Sequence, residues 1–363
     1  MKYKTPLFFL FGIVVMGTMV YFVGFNELIE KLKIADFKYV LFALIVQILS
    51  FFLFAFRWHI INKIANINIE SIKLVPLIII GLAINNITPS SSSGGEPVKA
   101  YILSSKTKSP FESTFATTIT DRTLDTVPFI VLAIITISIL ILFAPPYEEE
   151  YIAIMVLAVI LITFLLIVIV YMSLNRKFAE KIISIALRII KKFYKKDHEA
   201  LEKKVDKAIT GFQDTMKIMF KDKNILYKAL PLSFLIWFFE IFRMYLIFLA
   251  FGSSNINVFV IAEIFIISTL VGMVPLLPGG LGAVELMMMG LFASVGVPNE
   301  IGVAVTIIER GISFWLPTFI GLPLLSYYGY SNDKIKSADS KINGKFTNEQ
   351  EVEGISDHEK IKK

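Results

Sequence analysis

NNITPSSSSGGEPVKAYIL, Asn85–Leu103, and VPLLPGGLGAVE, Val274–Glu285, are the two stretches on which the fold turns. Each interrupts an apolar run, Leu74–Ile87 in the first case and Phe259–Val274 in the second. A hydrocarbon core of about 30 Å takes about 20 apolar residues of helix, so Leu74–Ile87 is too short to cross it. Proline and glycine then stop the helix and open backbone N–H and C=O groups that hydrocarbon cannot satisfy. Such backbone persists at membrane depth only where protein or a wet cavity surrounds it. Both stretches therefore read as re-entrant hairpins.

The surrounding composition supports a membrane setting. The chain has 363 residues, 55% of them apolar, with 32 phenylalanines. A water-soluble core of this size could not hide that much apolar side chain, so the excess faces lipid. Six stretches are long and apolar enough to span: Leu7–Phe25, Phe37–Ile61, Thr126–Ala144, Tyr151–Ser173, Ala229–Phe251 and Val303–Tyr327. The first follows Lys2 and Lys4 but lacks a small-residue cleavage site, which predicts a retained anchor rather than a secretory signal.

The formal charge of +6 fits topology rather than nucleic-acid binding. Residues 176–228 hold fifteen basic and seven acidic residues, and the tail after Tyr330 is lysine-rich, so both are expected on the cytoplasmic side. The loops PPYEEE (145–150) and GSSNIN (252–257) contain no basic residue and are expected outside. A multi-pass cell-membrane protein with both termini cytoplasmic follows. Ile182 to Phe193 alternates with lysines in a helical pattern, either as an interfacial helix or as a basic loop. Residues 331–363 are polar and predicted to be a disordered cytoplasmic tail, after a membrane domain covering 1–330.

The two hairpin regions align. Pro89, Gly94, Gly95 and Glu96 are followed by Thr117, Asp121, Arg122 and Pro128; Pro278, Gly279, Gly280 and Glu285 are followed by Thr306, Glu309, Arg310 and Pro317. Glu96 precedes Arg122 by 26 residues and Glu285 precedes Arg310 by 25. The helix after Arg122 runs outward and the helix after Arg310 inward, so the copies are inverted. The predicted fold is all-α: a polytopic membrane bundle of two inverted repeats, each with a broken re-entrant hairpin, a plan that places a substrate path at the repeat interface.

An ionised side chain at a helix centre costs about 2.5–3.5 kcal/mol on insertion scales, so charges in these runs must face inward and find partners. Asp121 and Arg122 point about 100° apart on a helix, as do Glu309 and Arg310, so pairing with other segments is expected. Glu96 with Arg122 and Glu285 with Arg310 are the expected pairs. Two roles stay open: the pairs pin the hairpins, or Arg122, Arg310 and Lys99 hold a phosphate headgroup while carboxylates, including Asp125, exchange protons. Ser90–Ser93 either serve a ligand or satisfy the broken helix's backbone. Arg57, Trp58 and His59 read as an interfacial anchor. Asn86-Ile87-Thr88 matches a glycosylation sequon at membrane depth and is incidental.

No chemistry-bearing motif adds to this. Cysteine is absent, and His59, His198 and His358 have no ligand spacing, so no metal and no cofactor is expected. No nucleotide loop, nucleophile elbow or HExxH pattern occurs.

NNITPSSSSGGEPVKAYIL and TTITDRTLD (117–125), with VPLLPGGLGAVE and IIERGISFWLPTFIGL (307–322), resemble the lysylphosphatidylglycerol synthase transmembrane region family, also called the flippase-like domain family. The resemblance runs over roughly Leu7–Tyr330. It implies a membrane domain that moves aminoacylated phospholipid between leaflets in its best-understood relatives, some relatives being fused to glycosyltransferases. The short polar tail departs from the synthases, which carry a cytosolic aminoacyl-transferase domain, so a stand-alone member is expected. Lys99 and Asp121 stand where family members commonly have Arg and Glu.

The leading expectation is a translocator of an anionic lipid or polyprenyl-phosphate-linked headgroup, with membrane lipid as its partner. Its site would be built from Pro89, Gly94, Gly95, Glu96, Lys99, Asp121, Arg122, Asp125, Pro278, Gly279, Gly280, Glu285, Glu309 and Arg310. Two alternatives stay open: a headgroup transferase using Glu96 or Glu285 as base, and a non-catalytic membrane partner of a separately encoded glycosyl or aminoacyl transferase.

Overall fold

The computed structural model describes residues 29–30, 33, 35–88, 94–143, 149–182, 184, 198–252, 257–273 and 278–328. The expected span Leu7–Phe25, most of the PPYEEE and GSSNIN loops, the apolar pattern beyond Ile182, Pro89 with the serine run, and the tail lie outside the described residues. Contacts divide the chain into Met1–Gly321 and Leu322–Lys363. The elements that build the site all belong to the first.

Among the described residues the chain is helical and contains no strand. The helices are α1 (Phe37–Ile64), α2 (Ser71–Ile87), α3 (Gly95–Thr107), α4 (Phe111–Phe143), α5 (Glu149–Leu174), α6 (His198–Lys221), α7 (Leu230–Leu249), α8 (Val258–Gly272), α9 (Ala283–Ser294) and α10 (Asn299–Arg310). Widened turns, bonded i to i+5, lead into α7 at Ile225–Ala229 and follow α10 at Gly311–Trp315. Five segments are long and apolar enough to cross a membrane: Phe37–Ile64, Phe111–Ile139, Met155–Leu174, Ile225–Leu249 and Asn299–Tyr328. The apolar helices α2, α8 and α9 are shorter than a span. The molecule is a multi-pass helical membrane bundle.

Two spans begin earlier than the hydropathy suggests. α4 starts at Phe111 rather than Thr126, and its charged turn Asp121–Asp125 lies inside the helix. Likewise the helix expected from Val303 starts at Asn299. In α4 charge lowers the apparent hydropathy of the turn Asp121–Asp125, but the partners described below allow it to sit within the bundle.

α1 is built inside out relative to a soluble helix. Its buried face carries Gln47, Ser50, Arg57 and Asn62, while Phe42, Leu49, Phe52 and Phe56 are exposed. Water would favour the reverse, and lipid favours this arrangement. The buried face packs along α7, and the contacts fix the direction. Asp36 N, just before α1, donates to the Ala250 carbonyl just after α7 at 2.8 Å. Gln47 meets Arg243, and further along α1 Arg57 meets Ser233, near the start of α7, at 2.9 Å. α1 and α7 are therefore antiparallel.

The first hairpin, α2 and α3, closes on itself through Asn85, whose Oδ1 accepts the Gly95 N–H at 2.7 Å. Its two helices meet where side chains are missing: a Cβ on Gly95 would lie 2.2 Å from the Gly81 carbonyl oxygen. Gly95→Ala must push backbone against backbone, and overpacking of this kind typically costs about 1–3 kcal/mol. A lower midpoint of thermal unfolding for Gly95→Ala in detergent, measured by loss of monodisperse protein, is the expected result; an unchanged midpoint would mean the helices separate freely. In the second hairpin, α8 and α9 are joined through Pro278–Gly280, where Gly279 has φ 54° and a Cβ would come within 2.3 Å of the Phe314 ring. Left-handed backbone and close approach together call for glycine here.

α6 is tied to the bundle. Thr215 Oγ1 donates to Ser113 Oγ at 3.1 Å and Gln213 Nε2 to the Met172 carbonyl at 2.9 Å. This part of the basic segment 176–228 is thus a packed helix.

Candidate functional site

The charged residues singled out in the sequence gather into two clusters along the α1–α7 seam. In the first, Arg57 of α1 is the centre. Its Nε donates to Asp121 Oδ1 at 2.8 Å, and its Nη1 to Asp125 Oδ1 and Ser233 Oγ, both at 2.9 Å. Arg57 is 1% exposed, so the interfacial anchor expected there is not what the structure builds. Trp58 is also enclosed, with Nε1 donating to Thr117 Oγ1 at 3.2 Å. Only His59 of that trio is partly exposed.

Glu96 does not pair with Arg122. Lys99 lies one turn further along the same face of α3 and reaches it first, Nζ to Oε2 at 2.8 Å. Lys99 also stands 3.8 Å from Asp121 Oδ2 and over the Trp58 ring at 5.2 Å from its centroid. Glu96 sits in the first turn of α3, where the helix dipole favours a carboxylate.

In the second cluster Arg310 and Glu285 do pair, Nε to Oε1 at 2.7 Å. The other oxygen of Glu285 accepts the Gly282 N–H at 2.7 Å, closing the start of α9, and Arg310 Nη2 donates to the Gly279 carbonyl at 3.0 Å. Both oxygens of Glu285 are thus committed to holding the hairpin. The Arg310 guanidinium also lies over the Phe314 ring, 4.4 Å from its centroid. Glu309 turns the other way to Arg243 Nη2 at 2.7 Å. Arg243 further binds Gln47 and Glu240 through Nη1. Gly280, with φ 67°, packs close to Gly272 and Val284, and Gly94 caps α3 against Thr88. Pro278 begins the tight turn, and Pro89 lies outside the described residues.

Arg57, Arg243, Gln47 and Glu240 are the residues that sequence reasoning missed. A signal was present: LPLSFLIWFFEIFRMYLIFL is a span with Glu240 and Arg243 one turn apart at its middle, which insertion cost alone should have marked. The pairs formed by the two missed arginines have matching spacings. Arg57 and Asp121 are 64 residues apart, and Arg243 and Glu309 are 66 apart.

The first hairpin meets the second where Asn86 lies beside Gly279. Asn86 Nδ2 also donates to the Phe314 carbonyl at 3.0 Å, in the widened turn that follows Arg310, and to Thr318 Oγ1 at 2.8 Å, just beyond it. Between the clusters lies a cavity of about 250 Å³. Arg122 and Asp125 line it on one side and Glu240, Arg243, Glu309 and Arg310 on the other, with Asn86 and Gly279 between the hairpins. A smaller space of about 40 Å³ adjoins Arg57, Glu96, Lys99, Asp121 and Arg122.

Arg122 differs from the other three arginines. Its one charge partner among the described residues is Asp125, Nη1 to Oδ2 at 3.5 Å, and Arg57 already holds that carboxylate at 2.9 Å. Its side chain is 33% exposed and borders both spaces. Its donors have capacity left for a ligand. Among the described residues no cluster of three or more metal-binding side chains forms.

Comparison with known sequences gives a consistent answer. The sequence model described as "Lysylphosphatidylglycerol synthase TM region" matches residues 7–321. A UPF0104 membrane protein of Methanothermobacter thermautotrophicus is 42% identical over 331 residues, covering 91% of this chain and 97% of that protein. UPF0104 membrane proteins of Pyrococcus horikoshii and Methanocaldococcus jannaschii are each 30% identical; the matches cover 88% and 86% of this chain and 95% and 90% of those proteins. From the hairpins to the paired charges, the matched region takes in every element of the site, and the chain belongs to the lysylphosphatidylglycerol synthase transmembrane-region family.

Proposed function

We propose that the protein is a translocator that passes the phosphate headgroup of an anionic or polyprenyl-phosphate-linked lipid between leaflets. It would reside in the cell membrane with both termini cytoplasmic, as the distribution of lysine and arginine favours. The observation that carries this reading is Arg122, a guanidinium with spare donors at the edge of a cavity bounded by both charge clusters. Guanidinium suits phosphate oxygens because its planar fork donates two parallel hydrogen bonds.

The layout of the two clusters supports a route for that headgroup. Gln47, at the second cluster, and Arg57, at the first, are ten residues apart on α1, about 15 Å along the helix at about 1.5 Å per residue. The cavity is lined by Gln47 at one level and, at the other, by Asp125, the partner of Arg57, which supports a path between them. Arg57, Arg243, Arg310 and Glu285 hold the walls, and Arg122 is left to meet the ligand.

The inverted-repeat reading supports the same function. The similar spacing of the Arg57–Asp121 and Arg243–Glu309 pairs, 64 and 66 residues, supports reading α1 and α7 as counterparts, and counterparts that run antiparallel are what a two-fold axis in the membrane plane requires. Their contacts are reciprocal as well: each arginine reaches a polar residue on the other's helix, Arg57 to Ser233 and Arg243 to Gln47.

The test is lipid translocation in proteoliposomes containing fluorescent phosphatidylglycerol, with outer-leaflet dye quenched by dithionite. Wild-type protein is expected to expose inner-leaflet dye, and Arg122→Ala to slow this about 10- to 100-fold, the effect of losing a hydrogen bond to a charged group worth about 1.5–3 kcal/mol. Arg122→Ala should still purify as folded protein, since it empties no buried pair. Wild-type rates equal to protein-free vesicles, with fluorescent phosphatidylglycerol and with a polyprenyl phosphate, would sink the proposal.

A further inference from the structure

The α1–α7 seam does not end at Arg57. Two residues further along α1 is His59, and Lys63 follows about 9 Å beyond Arg57 at about 1.5 Å per residue. Opposite them the turn Ile225–Ala229 brings Lys228 to the same place, ahead of α7. Together with Asp222 and Asn224 they border an open groove of about 690 Å³, separate from the cavity between the charge clusters.

The lysines of this groove are uncommitted. Lys73, Lys99 and Lys217 each have a carboxylate three residues away and pair with it, at 2.8, 2.8 and 3.3 Å. Lys63 and Lys228 form no ion pair among the described residues. The acid of the groove is occupied: Asp222 Oδ1 accepts both the Asn224 N–H at 2.7 Å and Asn224 Nδ2 at 2.8 Å. His59 is held by Nδ1, 2.7 Å from the Ile69 carbonyl, and its ring stacks on Phe56 at 6.4 Å between centroids. A carbonyl oxygen only accepts, so Nδ1 carries a proton and donates.

The walls are apolar where the groove meets the outer surface. Phe56 is 48% exposed, and Leu226 and Tyr227 in the adjoining turn are 57% and 71% exposed. Cations at the end of a span beside exposed aromatic and aliphatic side chains match a lipid with its phosphate at the interface and its chains in the bilayer. A free phosphate would gain nothing from those walls. The widened turn Ile225–Ala229 that places Lys228 is a feature that interrupts helices frequently at functional sites.

We propose that this groove is a binding site for the phosphate of an anionic phospholipid, held by Lys63 and Lys228 with the acyl chains along Phe56 and Tyr227. It takes lipid at the basic end of the seam whose centre is the translocation cavity. The site stands as a lipid site without the translocator reading; its role as the loading station rests on that reading.

The test uses the full chain purified in neutral detergent, with phosphatidylglycerol binding followed by native mass spectrometry against phosphatidylcholine. Parent protein should retain phosphatidylglycerol preferentially. Lys63→Ala with Lys228→Ala should weaken that binding about thirtyfold, each lysine near a membrane surface contributing about fivefold. Lys63→Arg with Lys228→Arg should keep it within about twofold of the parent, since charge is retained. In the Arg122→Ala background, where the central cavity has lost its phosphate donor and translocation is slowed, the same double alanine change should still weaken phosphatidylglycerol retention about thirtyfold, so the two proposals fail separately. Three results would overturn the site: a double alanine variant that binds like the parent, equal retention of phosphatidylcholine, or displacement by glycerol 3-phosphate as effective as by phosphatidylglycerol.

Discussion

Arg57→Leu is expected to cost about 3–5 kcal/mol of stability, because it leaves carboxylates buried without their cation. Asp121 is 3% exposed and Asp125 keeps only its longer contact with Arg122. Lys99, 3.8 Å from Asp121 and engaged with Glu96, cannot replace the lost hydrogen bonds. The leucine fits the apolar span, so the loss is electrostatic. Adding Asp121→Asn and Asp125→Asn to Arg57→Leu should recover much of the loss, since neutral amides cost less to bury than unpaired charges. Thermal unfolding of the three proteins in detergent reads this directly. A triple variant no more stable than Arg57→Leu would show that Arg57 acts through packing instead.

Arg243→Leu should be as damaging to stability, about 3–5 kcal/mol, and should also abolish translocation. Arg243 holds Glu240, Glu309 and Gln47 at once, and borders the cavity. Removing it frees two carboxylates facing the same space. Arg243→Lys keeps the charge but has no planar fork, so it can serve fewer of those acceptors; stability should fall less than with leucine. Glu240→Gln with Glu309→Gln in the Arg243→Leu background is the matching rescue. Unfolding midpoints give the stability half of this prediction, and dye quenching in proteoliposomes the transport half. Arg243→Leu that translocates at the wild-type rate would remove the second cluster from the route.

The spans were legible because hydropathy is a sum over about 20 residues and tolerates local error. Charge still misplaced the start of the helix that contains Asp121, since a partner elsewhere in the chain does not alter the local average. Glu285 with Arg310 was legible from the aligned hairpins. Glu96 was misassigned because Lys99, one turn away on α3, competes with Arg122, and the second hairpin has no lysine at the matching place: Glu285 is followed three residues later by Met288. Arg57 was hidden by its neighbours. Trp58 and His59 make it look like an interfacial cluster, and only the packing of α7 against α1 shows that the guanidinium points inward. Arg243 needed no partner to be noticed, because a lone Glu-Arg turn in an apolar span is a cost that must be met.

The chain contains no cysteine, so a single introduced thiol reports on one position without background. Leu82 lines both the cavity between the clusters and the smaller space beside Arg57. With Leu82→Cys in oriented proteoliposomes, a membrane-impermeant thiol reagent is applied to each face in turn. A translocation site between two antiparallel halves predicts labelling from both faces, slowed by phosphatidylglycerol. Labelling from one face only, or from neither, would contradict a path that opens to each leaflet.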